Sequence, residues 1–161
     1  KAWINILETL GIIFLLHPYS NNVLKRTIKT PKLYFYDTGL VCYLTRWSSP
    51  EVAESGAMSG ALLENYAVSE IMKSYQNKGR EPFLYFYRDR DAKEIDVILE
   101  GDGKLCPLEI KKTATPDKRL TRIFGVIDKA PLQRGTGAIL CMADRFNAFD
   151  RENLIVPIWT I

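Results

Sequence analysis

Glu94-Ile95-Asp96-Val97-Ile98-Leu99-Glu100-Gly101-Asp102-Gly103-Lys104-Leu105-Cys106-Pro107-Leu108-Glu109-Ile110-Lys111 consists of two alternating apolar-polar runs joined by Asp-Gly. Period-two alternation marks β-strands, and Asp-Gly between such runs is a strong hairpin signal. A two-residue turn at Asp102-Gly103 sets Asp96 opposite Glu109 and Glu94 opposite Lys111. A four-residue turn closing Glu100 onto Leu105 gives the same register. Ile95, Val97 and Leu99 then share one apolar face, with Asp96 pointing the other way. On the second strand Cys106, Leu108 and Ile110 go inward, which leaves Glu109 and Lys111 on the face of Asp96. Directly opposed side chains lie about 5 Å apart. Two carboxylates there repel by about 3 kcal/mol at an effective dielectric near ~20. A divalent cation or a shared proton between them relieves that repulsion. The ordinary alternative is a solvated polar face, with Glu94 and Lys111 as a surface ion pair worth about a few tenths of a kcal/mol.

Upstream, Gly60-Ala61-Leu62-Leu63-Glu64-Asn65-Tyr66-Ala67-Val68-Ser69-Glu70-Ile71-Met72-Lys73-Ser74-Tyr75 carries the spacing of a helix over about 60 to 78, with Gly79 as its stop. On a helical wheel Val68, Ile71 and Tyr75 fall within about 40° of Glu64, while Ser69, Lys73, Gln76 and Asn77 take the far side. Glu64 is therefore expected near the middle of the buried face, where an ionised carboxylate needs a partner. A capping role in the first turn is the competing explanation. Further strands are predicted at Phe83 to Arg88, Thr136 to Met142 and Ile155 to Ile161, and a helix from Asp117 to about Lys129.

Glu64 on a helix, Asp96 on a strand and Glu109-Ile110-Lys111 on the next strand resemble the Glu…Asp…Glu-x-Lys signature of the PD-(D/E)xK nuclease superfamily. The element order helix, three strands, helix, strand matches that superfamily's restriction-endonuclease-like core. More narrowly, Lys29-Thr30-Pro31-Lys32-Leu33-Tyr34-Phe35-Tyr36-Asp37-Thr38-Gly39-Leu40, Gly60 to Glu70, Tyr87-Arg88 followed by Glu94-Ile95-Asp96, and Leu108 to Lys112 are similar to the carboxy-terminal domain of prokaryotic AAA-type ATP-binding proteins. The resemblance spans essentially the whole chain. It implies an α/β fold, an α+β mixed sheet, with a nuclease-like domain over 48–161. It also implies an ATPase module amino-terminal to this domain. No Gly-x-x-x-x-Gly-Lys-Ser/Thr loop occurs in the chain, so no ATP site is expected within it.

For the site, the resemblance implies Mg²⁺ or Mn²⁺ held by Asp96 and Glu109 with help from the Ile110 carbonyl. Lys111 would orient the attacking water or meet the developing charge, and Glu64 would complete the site from the helix. The activity implied is metal-dependent hydrolysis of DNA phosphodiesters. A different class of function stays open: a nuclease-like fold serving as a nucleic-acid or protein-docking module without turnover. So does a third, in which the hairpin carboxylates share a proton in a purely structural site.

The chain has 161 residues, 47% of them hydrophobic, enough for one compact domain and a small appendage. It opens at Lys1 without methionine and enters an amphipathic helix at once, so it reads as a piece of a longer protein. Trp3 to Leu10 as a helix, Ile12 to His17 and Lys32 to Tyr36 as strands, and a polar tip at Ser20-Asn21-Asn22 resemble the end of a winged-helix unit over 1–47. Residues 1–46 carry a net charge of +4 and the remainder −1, within a total of +3. Lys25, Arg26 and Lys29 would lie on or beside the wing, where they could meet phosphates, as could Arg88 and Lys112 beside the motifs. A solvated loop of ordinary charge is the alternative. Ser48-Ser49-Pro50 reads as the linker.

His17 is the single histidine, which excludes histidine triads and His-rich metal sites within this chain. Cys42, Cys106 and Cys141 are odd in number and widely spaced, consistent with reduced thiols and a cytoplasmic setting. The apolar run Ile12 to Leu16 is too short to span a bilayer.

Overall fold

The computed structural model describes residues 2–19 and 28–161. In chain order, α1 (Ala2–Thr9) leads into β1 (Ile13–Pro18) and β2 (Lys32–Phe35). Three helices follow: α2 (Thr38–Leu44), α3 (Pro50–Ser55) and α4 (Ser59–Gln76). Then come β3 (Phe83–Arg88), β4 (Glu94–Gly101) and β5 (Lys104–Lys111), a 3₁₀ helix at Lys118–Lys129, β6 (Gln133–Arg134), β7 (Gly137–Cys141), β8 (Asn147–Ala148) and β9 (Asn153–Pro157). A short 3₁₀ turn, Ile158–Thr160, stands where the strand expected from Ile155 was to continue.

Among the described residues these strands form one mixed sheet in the order β2-β1-β3-β4-β5-β7-β9-β8, with β6 added to β5. The fold class is therefore α/β with a mixed parallel and antiparallel sheet. The sheet is a middle layer with a core on each side. One core joins α4, through Ala67, Val68 and Ile71, to Phe86, Val97, Ile110 and Leu140. The other joins Phe124 and Ile127 of the long 3₁₀ helix to Ile95, Ile98, Leu105 and Ile139. An element with one apolar stripe must bury it, and a central sheet offers two faces.

The hairpin register expected from Asp102-Gly103 is present. Val97 pairs with Leu108, Leu99 with Cys106 and Gly101 with Lys104. Asp102 and Gly103 take φ of 50° and 72°, the left-handed pair that a two-residue hairpin turn needs. The expected single face of Ile95, Val97 and Leu99 is not observed. Tyr85 pairs with Ile98 but Tyr87 with Ile95, so Phe86 opposes two residues, Asp96 and Val97. This β-bulge breaks the alternation. Ile95 and Ile98 pack in the core beside the 3₁₀ helix, and Val97 and Leu99 in the core beside α4.

Residues 118–129 form 3₁₀ rather than α-helix, and the spacing of apolar residues accounts for it. Thr121, Phe124 and Ile127 are buried and Leu120, Ile123 and Val126 partly so. Two ridges at intervals of three suit three residues per turn. A Cβ on Gly137 would come within 2.7 Å of the Phe124 ring, so the glycine lets β7 close on that helix.

The β1–β2 hairpin joins the main sheet, because β1 runs parallel to β3 with His17 beside Tyr85. Phe14, Leu16 and Tyr34 of this hairpin lie in the same core as α4. Within Ser48-Ser49-Pro50, expected as a linker, a helix starts. Ser49 caps α3, accepting from the Val52 N–H, and Pro50 fills the first turn, where its missing N–H costs nothing. α2 begins likewise, with Asp37 Oδ1 accepting from the N–H groups of Gly39 (2.7 Å) and Leu40 (3.2 Å). Both short helices pack on α4. That cover extends around more of α4 than a two-sided helix pattern allows, and Ser69, expected on the far side, is buried. Among the described residues no helix is long and apolar enough to cross a membrane.

Candidate functional site

Three charged groups from one hairpin converge where β4 and β5 approach their open ends. Lys111 Nζ lies 2.7 Å from Glu109 Oε2 and 3.4 Å from Asp96 Oδ2. The Ile110 N–H donates to that same Asp96 oxygen at 2.8 Å. Ile110 thus joins the site through its amide hydrogen. Asp96 is 7% exposed and Glu109 5%, so the solvated polar face is not what the chain forms. Nor does Lys111 pair with Glu94, which is engaged by Lys32 and Arg88.

Burial and a neighbouring negative charge both raise the proton affinity of a carboxylate. Burial and the neighbouring Asp96 carboxylate push the Glu109 carboxyl up to about 7, against the pull of Lys111. Burial also raises Asp96, although Lys111 and the Ile110 N–H act in the opposite direction. Burial disfavours the Lys111 ammonium, but Asp96 and Glu109 outweigh that effect and hold its pKa above the usual lysine value. Glu109 Oε1 is buried with no hydrogen-bond partner. An orphaned buried carboxylate oxygen is costly unless a proton or a cation meets it.

Glu64 stands beside this trio in a second cluster. Its Oε1 accepts from Tyr34 Oη at 2.5 Å and from Lys32 Nζ at 2.9 Å. Its side chain is 28% exposed, so it lies at the rim of the buried face of α4 rather than its middle. It is also well inside the helix that Met58 caps, which rules out the first-turn capping role. Lys32 bridges onward to Glu94 Oε1 at 2.5 Å, and Arg88 Nε lies 3.6 Å from Glu94 Oε2. Glu64 and Lys32 still act on Asp96 through space, Glu64 raising and Lys32 lowering its proton affinity. Burial and Glu64 together push the Tyr34 phenol far up, which makes it a neutral donor.

Three residues of this second cluster were not legible as site residues. Lys32 and Tyr34 alternate in a short strand whose partner, α4, lies some thirty positions on. Asn65, the neighbour of Glu64, clasps β2. Its Oδ1 accepts from the Phe35 N–H (2.8 Å), and its Nδ2 donates to the Phe35 carbonyl (3.0 Å) and Thr38 Oγ1 (2.9 Å). A buried Asn among apolar helix neighbours was the available signal, since a buried amide needs partners.

The chain belongs to the DUF4143 family. The match covers residues 59–161, and that family is described as a domain of unknown function. Residues 1–51 match a second family described in the same words, DUF8612. The DUF4143 stretch thus holds Glu64, Asp96, Glu109 and Lys111, while Lys32 and Tyr34 come from the upstream match. An uncharacterized protein of Mycobacterium tuberculosis and one of Mycobacterium bovis are each 27% identical over 116 residues, 72% of this chain. The aligned part is 25% of the length of each relative. No solved structure matches the chain.

Of the basic residues expected at phosphates, three lie among the described residues. Lys25 and Arg26 lie outside the described residues, and Lys29 is exposed. Arg88 is held by Glu94, and Lys112 donates to the Glu54 carbonyl on α3. Among the described residues no group of three Asp, Glu, His or Cys side chains is close enough to cage a metal ion. The pair Asp96 and Glu109 suits a hard cation that takes only one or two carboxylates and fills its shell with water and phosphate, as Mg²⁺ does. The unmatched Glu109 Oε1 is where such an ion would satisfy the protein.

Proposed function

We propose that this DUF4143 chain is the metal-dependent nuclease part of a larger protein, hydrolysing DNA phosphodiesters. The convergence of two buried carboxylates and one ammonium at the β4–β5 end, with Glu109 Oε1 unpartnered, carries the reading. The Glu…Asp…Glu-x-Lys pattern and its resemblance to PD-(D/E)xK nucleases support it. Asp96 and Glu109 would hold Mg²⁺ or Mn²⁺ with the Ile110 carbonyl. When bound, the ion lowers the pKa of water and neutralises charge gathering at phosphorus. The Ile110 N–H orients Asp96 and leaves its second oxygen for other work. Glu109 gives up the proton that burial favours and is then free of charge conflict only with a cation beside it. Lys111, released from one carboxylate, orients water or donates to a phosphate oxygen. An amino-terminal AAA-type ATPase module and a cytoplasmic setting complete the reading, the latter in keeping with three free cysteines.

The decisive measurement is cleavage of single-stranded, duplex and branched DNA in Mg²⁺ or Mn²⁺. Asp96→Ala and Glu109→Ala should each lower the rate by about two orders of magnitude or more. Cleavage surviving both substitutions removes the assignment. One observation favours the rival reading of a non-catalytic docking module: Glu64 is engaged by Lys32 and Tyr34, not by the trio. That rival gains if neither ion raises the melting temperature, since a ligand of the native state must stabilise it.

A further inference from the structure

Lys32 lies in a negative cradle built by separate elements. Its Nζ is 2.9 Å from Glu64 Oε1 on α4, 2.5 Å from Glu94 Oε1 on β4, and 5.3 Å from the centroid of the Phe86 ring on β3. Tyr34, two residues along β2, donates to the same Glu64 oxygen and holds it in place. A lysine ammonium is a compact point charge with three donors, so two carboxylates and an aromatic face are suitable neighbours. Glu94 is two residues from Asp96 on β4, so the pair Glu64–Glu94 stands beside the pair Asp96–Glu109. A two-ion phosphodiester site sets two cations about 3.5–4 Å apart, which takes carboxylates clustered as these are. In this chain one pair is already bridged by a tethered cation.

We propose that Lys32 is a built-in cation of the site: its ammonium fills the seat between Glu64 and Glu94, so the chain takes one divalent ion, at Asp96 and Glu109, and not two. The first ion rests on the metal reading given above; the second seat does not. An ammonium and a divalent ion compete for this seat, since both are drawn to the same two carboxylates and repel one another at that range. The tether gives Lys32 a high effective concentration there, which free metal at ordinary levels does not match. The seat also joins the two matched stretches. Residues 59–161 supply the carboxylates and Arg88, which faces the other oxygen of Glu94, and residues 1–51 supply the ammonium between the two carboxylates.

The test counts Mn²⁺ bound to the full chain by calorimetry and electron paramagnetic resonance, at about pH 8 so that the carboxylates are ionised. Wild type should bind one ion, Lys32→Met two, and Lys32→Met/Glu64→Gln one again. Two ions on wild type, or still one on folded Lys32→Met, overturns the proposal. If wild type binds none, the hydrolysis reading fails by itself, and Lys32→Met then decides the second seat. One ion that Glu64→Gln abolishes in the Lys32→Met background supports it, and none overturns it. Lys32→Gln, which keeps a neutral donor, carries the same expectation should Lys32→Met not fold.

Discussion

The two charge clusters at this end of the sheet solve the same problem in opposite ways. Asp96, Glu109 and Lys111 come from one hairpin; the two carboxylates are buried, the ammonium is part-exposed, and one carboxylate oxygen is left unmatched. Lys32, Tyr34, Glu64 and Glu94 come from three elements, with Tyr34 buried and the charged groups part-exposed, and match Glu64 with two donors. A buried, under-matched carboxylate cluster favours a proton or a cation. A matched cluster is a structural joint. The difference separates the group that has chemical capacity left from the group whose capacity is spent on holding β2 against α4.

The sharpest way to break this comparison is pH. The Glu109 carboxyl titrates near 7 when folded, against an ordinary value of 4.5. A raised acid stabilises the fold below its unfolded pKa and loses that contribution as pH rises through the folded one. Stability should therefore fall by about 3 kcal/mol between about pH 4.5 and 7, and Asp96, raised as well, acts in the same sense. Denaturant melts across that range should show the slope in wild type and lose most of it in Glu109→Gln. A flat profile would mean that the carboxylate is matched after all. Added Mg²⁺ should reverse the loss at the upper end, because the ion needs the ionised form.

Lys111→Met comes next. It leaves two like charges without their counter-ion, and at neutral pH it should cost about 2 kcal/mol, less than a fully buried pair because the ammonium is part-exposed. Lowering the pH should recover most of that cost. In the matched cluster, Asn65→Ala removes three hydrogen bonds to β2 and α2, for about 2 kcal/mol at most, with no dependence on metal. Tyr34→Phe should be the mildest, about 1 kcal/mol by thermal unfolding, since one neutral donor is lost and Lys32 remains on Glu64. A large effect of Tyr34→Phe on Mg²⁺ affinity would merge the two clusters into one site.

Much of the β4–β5 cluster is legible because its determinants are local. An Asp-Gly turn sets the register, and the register sets which carboxylate meets which. The bulge at Asp96 and Val97 is not legible, since it arises from how β3 pairs with β4 across several residues. Burial of Asp96 and Glu109 on a face that reads as polar was hidden for a related reason. A sheet packed on both sides erases the distinction that alternation encodes. α2 and α3 were hidden by length, although Asp37 and Ser49 were readable as caps.

By itself the chain's sequence determines its local elements: the helix carrying Glu64, the hairpin carrying Asp96, Glu109 and Lys111, and the three-residue period of 118–129. These follow from turn chemistry and periodicity, which act over a few residues. Only the tertiary structure decided that β1 would join β3, that Lys32 would face Glu64, and that two like charges would be buried together. Those outcomes depend on contacts between residues tens of positions apart, where packing and desolvation, not local propensity, choose the partners.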